Sequence, residues 1–183
     1  MPHVALPPEL VGIRSAMATR PETAAPMLEL AEVLLRGEST LTRGERELIA
    51  AYVSHLNGCQ FCTRSHGAFA ARQLEGGHAL VDAVRADPMS AEVSPKLRAL
   101  LVVAGQAQRS GKDVTRDAVD AARAAGATDR EVHDTVLITA AFCMFNRYVD
   151  GLATVTPDDP AAYEQMADRV VSSGYRAPVG AGR

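Results

Sequence analysis

Residues 42–67, TRGERELIAAYVSHLNGCQFCTRSHG, decide how the chain is read. Thr42 with Glu45 three residues later is a capping box, in which each side chain satisfies a backbone N–H left free at a helix start. Leu48, Ile49, Tyr52, Val53 and Leu56 then recur at helical spacing, and Asn57-Gly58 ends the run. No strand precedes Cys59, so its Cys-x-x-Cys is not that of a thioredoxin-like βαβ unit. The pair opens a second helix instead, expected over 59–75 and stopped by Gly76-Gly77.

Outward from this hairpin the chain reads as helix throughout. Proline or Ser/Thr starts predict helices over 7–19, 21–37, 95–110, 115–125 and 160–173, and a short one over 78–87 precedes Pro88. Thr128 with Glu131 is a second capping box, opening a long apolar helix to about residue 152. The two boxes stand 86 residues apart and hint at a faint internal duplication. Abundant alanine, no Trp and 4% aromatics agree with helix over sheet. The expectation is an all-α, multihelical single domain: an N-terminal helical segment over 1–40, a core over 41–173 and a mobile tail over 174–183.

Nineteen Lys and Arg against 22 Asp and Glu, both signs interspersed, leave no footprint for nucleic acid or an anionic membrane. There is no apolar run of spanning length and no signal-peptide pattern at the start, which predicts a cytoplasmic protein. In that reducing setting a Cys-x-x-Cys pair is catalytic, redox-active or metal-binding rather than a structural disulfide.

At 100° per residue, Cys59, Cys62 and His66 share a narrow arc of one helix face. Free N–H groups and the positive end of the helix dipole beside the thiols predict stabilised thiolate, and His66 one turn after Cys62 can share its proton. Glu47 lies opposite the main apolar stripe of its helix, where a solvated carboxylate is the default, yet its neighbours there are Ala50, Ala51 and Ser54, small residues that would admit another helix. A buried carboxylate facing the thiols could accept a proton. Two other readings stand beside this one. The cysteines could be small core residues, or Glu47, Cys59, Cys62 and His66 could form an unusual zinc or redox-sensing set, although the usual second ligand pair is absent and Cys143 is alone in an apolar run. His55, two turns beyond Glu47, could border the site, whereas His133 falls on an apolar line with Val136, Leu137, Ala140 and Met144 and reads as a core histidine. His3 and His78 carry no pattern.

The spacing Glu47-x11-Cys59-x2-Cys62-x3-His66 resembles the signature of AhpD-like alkylhydroperoxidases in the carboxymuconolactone decarboxylase superfamily, and the stretch FNRYVDGLATVTPDDPAAYEQMADR resembles the C-terminal part of its peroxidase-related branch. The resemblance covers most of the chain beyond about residue 40. It implies an all-helical fold in interlocked homo-oligomers and a peroxidase that needs no bound cofactor, takes a hydroperoxide substrate, and is reduced by an external lipoyl-type or thioredoxin-like dithiol. By the same resemblance Cys62 is the peroxidatic thiol, Cys59 the resolving one, and Glu47 and His66 relay protons. Some alkylhydroperoxidases carry a further His between the cysteines; here Gln60 and Phe61 stand there, so the relay is shorter. Family members without the cysteines decarboxylate a lactone, and the intact pair argues against that chemistry.

Overall fold

The computed structural model describes residues 1–176, which form nine α-helices and no strand. They are α1 (Ile13–Thr19), α2 (Pro21–Arg36), α3 (Arg43–Leu56), α4 (Gln60–Ala71), α5 (Gly77–Ala86), α6 (Pro95–Arg109), α7 (Arg116–Ala124), α8 (Asp129–Gly151) and α9 (Pro160–Ser173), with a 3₁₀ turn over Gly111–Asp113. No described helix is long and apolar enough to cross a membrane.

α3 is the hub. It folds back against α4 and also packs on α8, α6, α2 and α5, while α4 turns its other side to α9. Two apolar cores result. The larger gathers Leu48, Ile49 and Val53 of α3 with Leu100 and Leu101 of α6 and Ile138 and Phe142 of α8. The smaller lies between α4 and α9 and contains both cysteines, with Phe61, Phe69, Tyr163 and Val170.

Both capping boxes form as the sequence predicts. The second does more than cap. Glu131 is 1% exposed, and its Oε2 accepts from the Thr128 N–H at 2.7 Å. Its Oε1 accepts from Lys96 Nζ at 2.7 Å and Thr40 Oγ1 at 2.8 Å, joining α8 to α6 and to the α2–α3 loop. Burial alone would raise this carboxyl, but the Lys96, Thr128 and Thr40 hydrogen bonds outweigh it and hold the group down to about 2. A carboxyl held below its unfolded value of about 4.3 contributes stability above that pH and loses it as pH falls through the folded value. Thermal melts should therefore show a stability loss between about pH 4 and pH 2 that Glu131→Gln diminishes. Lys96→Met, which strands the buried carboxylate, should cost about 1–3 kcal/mol at neutral pH, or roughly 3–10 °C in Tm.

Two helices differ from the sequence reading. The first starts at Ile13, not residue 7, because Gly12 takes φ +55° and donates its N–H to the Val155 carbonyl at 2.9 Å, breaking the helical path that Pro7 and Pro8 suggest. α4 stops at Ala71, short of residue 75, and the chain turns through Gln73 and Leu74 before Gly76. At the start of the segment expected to be mobile, Tyr175 N–H donates to Glu32 Oε2 at 2.7 Å and Arg176 pairs with Glu29. The rest of that segment, 177–183, lies outside the described residues.

Candidate active site

The turn between α3 and α4 sets the cysteines in place. Gly58, at φ +74°, donates to the His55 carbonyl at 2.9 Å, and Cys59 N–H donates to the Ser54 carbonyl at 3.1 Å, the paired bonds of a Schellman cap. Cys59 thereby ends one helix and begins the next: it is the N-cap of α4, and its carbonyl accepts the first helical bond from Thr63 N–H at 2.9 Å. Cys62 follows in the first turn. Both thiols are free and buried, at 0% and 3% exposure. Phe61, between them, packs against Gly12 so closely that a Cβ there would lie 2.1 Å from the ring. Only glycine lets the N-terminal segment close over this turn.

Burial changes the expected thiol chemistry. The Cys62 thiol is pushed well above its ordinary value, first by its hydrogen bond to Cys59, then by desolvation, with the Asn146 side chain opposing. The helix start and His66 are expected to favour thiolate at Cys62; they do not prevail there, because the hydrogen bond to Cys59 and burial in an apolar core both favour the protonated Cys62 thiol. Asn146 belongs to a buried amide chain: its Nδ2 donates to Ser54 Oγ at 3.1 Å and its Oδ1 accepts from Asn57 Nδ2 at 2.7 Å, while Asn57 Oδ1 accepts from Gln108 at 2.8 Å. An asparagine within the apolar run of α8 was the signal for it in the sequence.

Glu47 is 1% exposed, as Ala50, Ala51 and Ser54 beside it imply, and its two oxygens are both used. Oε2 meets His66 Nδ1 at 2.7 Å and Oε1 accepts from the Tyr175 hydroxyl at 2.5 Å. Burial and the Glu47 charge push the Tyr175 phenol well above its usual range, so it remains a donor. With the carboxylate on Nδ1, a neutral His66 carries its proton there and leaves Nε2 as a base. The edges and faces of Phe142 and Phe69, at centroid distances of 4.5 Å and 5.0 Å, hold the ring. His66 and Cys62 both line one small apolar cavity of about 60 Å³, closed by Phe61, Phe142, Phe145 and Tyr175.

The structure thus brings Glu47, Cys59, Cys62 and His66 to one region of the α3–α4 hairpin. Among the described residues no three His, Cys, Asp or Glu side chains are placed to hold a metal, and the Glu47 oxygens are committed to His66 and Tyr175. Two side chains, His55 and His133, fall elsewhere than expected. His55 is exposed and does not border the cavity. His133 is on the surface rather than in the core, with Asp134 3.4 Å away, because the line it shares with Leu137, Ala140 and Met144 faces outward. Cys143 is half-buried against Asn57 and Gln108, outside the cavity. Tyr175 was missed: a lone tyrosine after a helix-ending glycine has no periodicity to mark it.

Residues 21–87 match the family described as the carboxymuconolactone decarboxylase family, a segment from α2 through α5 that holds all four expected site residues. No curated protein matches the chain. Among solved structures the chain is similar to an alkylhydroperoxidase AhpD core, an uncharacterised peroxidase-related protein from Ralstonia eutropha JMP134, at 27% identity and TM-score 0.75 over 84% of this chain and 78% of that one. An uncharacterised peroxidase-related protein from Silicibacter sp. TM1040 gives 28% identity and TM-score 0.75 over 83% of this chain and 78% of that one. A protein of unknown function from Agrobacterium tumefaciens, at 21% identity, TM-score 0.69, and 79% and 97% coverage, shares the fold.

Proposed function

Starting from a chain of the AhpD-like carboxymuconolactone decarboxylase superfamily, we propose that it is a thiol-dependent peroxidase cycling between dithiol and disulfide at Cys59 and Cys62. The observation that carries this reading is the shared cavity: the more exposed thiol of a buried pair, Cys62, and a histidine backed by a carboxylate line the same small space, where a hydroperoxide would touch both.

His66 Nε2 takes the Cys62 proton and the Glu47 carboxylate stabilises the imidazolium that forms. The Cys62 thiolate attacks the terminal peroxide oxygen, the O–O bond breaks, and the leaving alkoxide takes the proton back from His66, so Cys62 becomes a sulfenic acid and the peroxide an alcohol. The Cys59 thiol then attacks the Cys62 sulfur; the S–O bond breaks, water leaves with the Cys59 proton, and a disulfide remains. An external dithiol returns two electrons and two protons. Cys59 suits the resolving role because it caps the helix whose first turn holds Cys62, and both are buried in the same apolar core.

Alkylation and mass spectrometry after one equivalent of hydroperoxide should find a Cys59–Cys62 disulfide and a reduced Cys143. Modification of Cys143 first, or no bridge between the pair, would overturn the assignment.

A further inference from the structure

A second cavity, of about 70 Å³, continues from the first along the same His66, Tyr175 and Phe61 walls, between α1 and α9. Its lining is mostly apolar; Ser65, His66 and Tyr175 add polar atoms, and its two cationic side chains are Arg14 of α1 and Arg169 of α9. We propose that these two guanidiniums bind a carboxylate, and that the hydroperoxide taken by the Cys62 site is an apolar organic acid whose carboxylate they hold. This rests on the peroxidase reading and names its substrate class.

Nearby arginines have a carboxylate beside them: Arg36 lies 3.4 Å from Glu32 and reaches the carbonyls of Val170 and Val171, Arg72 pairs with Asp168, and Arg176 with Glu29. Among the described residues Arg14 and Arg169 have no carboxylate partner, and the buried Arg14 Nε has no hydrogen-bond acceptor. Burial, and for Arg169 also the charge of Arg14, pull both below the ordinary arginine value. Two like charges half-withdrawn from water beside an apolar cavity are a cost to the fold, and a bound anion relieves it. A ligand with its carboxylate at the arginines and its apolar body along Phe61 and Tyr175 would extend toward Cys62.

The test compares cumene hydroperoxide with its para-carboxylate under steady state, for the wild type, Arg14→Gln and Arg169→Gln. Charge-assisted hydrogen bonds predict a KM for the acid about 10- to 100-fold below that of the neutral peroxide in the wild type, and a ratio near one in either variant. Equal KM values in the wild type, or a ratio unchanged by both substitutions, overturn the proposal. A parallel arm with dihydrolipoate and dihydrolipoamide as donors asks whether the reductant carries the carboxylate; discrimination there alone also overturns it. Calorimetric titration with para-isopropylbenzoate separates the two readings. Binding to the wild type that weakens at least tenfold in Arg169→Gln upholds carboxylate recognition even if no peroxide turns over, whereas turnover of both peroxides without such binding rejects it. Both variants should melt no lower than the wild type, since each removes an unpaired charge.

Discussion

Cys62→Ser should abolish peroxide consumption, while Cys59→Ser should consume one equivalent and stop, leaving a sulfenic acid that dimedone traps. The asymmetry follows from position. Cys62 lines the cavity with His66, whereas Cys59 is wholly enclosed as the N-cap of α4 and can meet only its partner. A serine hydroxyl lacks the low-energy path to attack on an O–O bond, so the loss at Cys62 should be complete within detection. The pH dependence of the first turnover follows from the raised Cys62 acidity: a group pushed upward is protonated at neutral pH, and the attacking thiolate grows as pH rises. The rate should climb from about pH 7 toward pH 9. Cys59→Ser removes the largest cause of that shift, so its sulfenic acid should form faster at neutral pH than in the wild type. Rapid-quench labelling reads this. A Cys59→Ser protein that consumes no peroxide, together with an active Cys62→Ser, would exchange the roles of the two thiols.

The fold was legible because its signals are local. Thr42 and Glu45, Thr128 and Glu131, and Ser94 each cap the helix start they announce, and Asn57-Gly58 makes the turn that aligns Cys59, Cys62 and His66. What failed depended on distant partners. Gly12 breaks a promising helix start because Val155, far along the chain, accepts its N–H and Phe61 fills the space where a side chain would go. Tyr175 reaches Glu47 only because α9 ends beside α2, where Glu32 takes the tyrosine's own N–H. The Cys62 acidity departs from the sequence reading for a related reason: the helix terminus and His66 can be read from spacing, but the hydrogen bond to Cys59 and desolvation are properties of the packed core. His133 shows the reverse limit, since an apolar stripe at helical spacing does not say which side of the molecule it faces.

Glu47→Gln should slow turnover by about 10²–10⁴-fold with the fold intact, the range of a lost general acid–base function. The buried, protonated Cys62 makes this loss large, because the thiol cannot ionise unaided at neutral pH and the proton must go to a base in the cavity. His66 Nε2 is that base only while Nδ1 keeps its proton and the resulting imidazolium has a counter-charge, and Glu47 supplies both. Glutamine keeps the shape and one acceptor oxygen but removes the charge. Tyr175→Phe tests the other side of the carboxylate. It deletes one neutral donor and leaves the charge, so its cost should be no more than about tenfold. The pH profile separates chemistry from support. In Glu47→Gln the deficit should shrink toward about pH 9, where hydroxide replaces the base, while a merely structural defect would be uniform across pH. Melting gives a second separation. A carboxylate buried against His66 and Tyr175 costs desolvation, so Glu47→Gln should leave Tm unchanged or raise it. Near-full activity in Glu47→Gln from about pH 6 to pH 9 would remove the relay, and His66 would then act without a counter-charge.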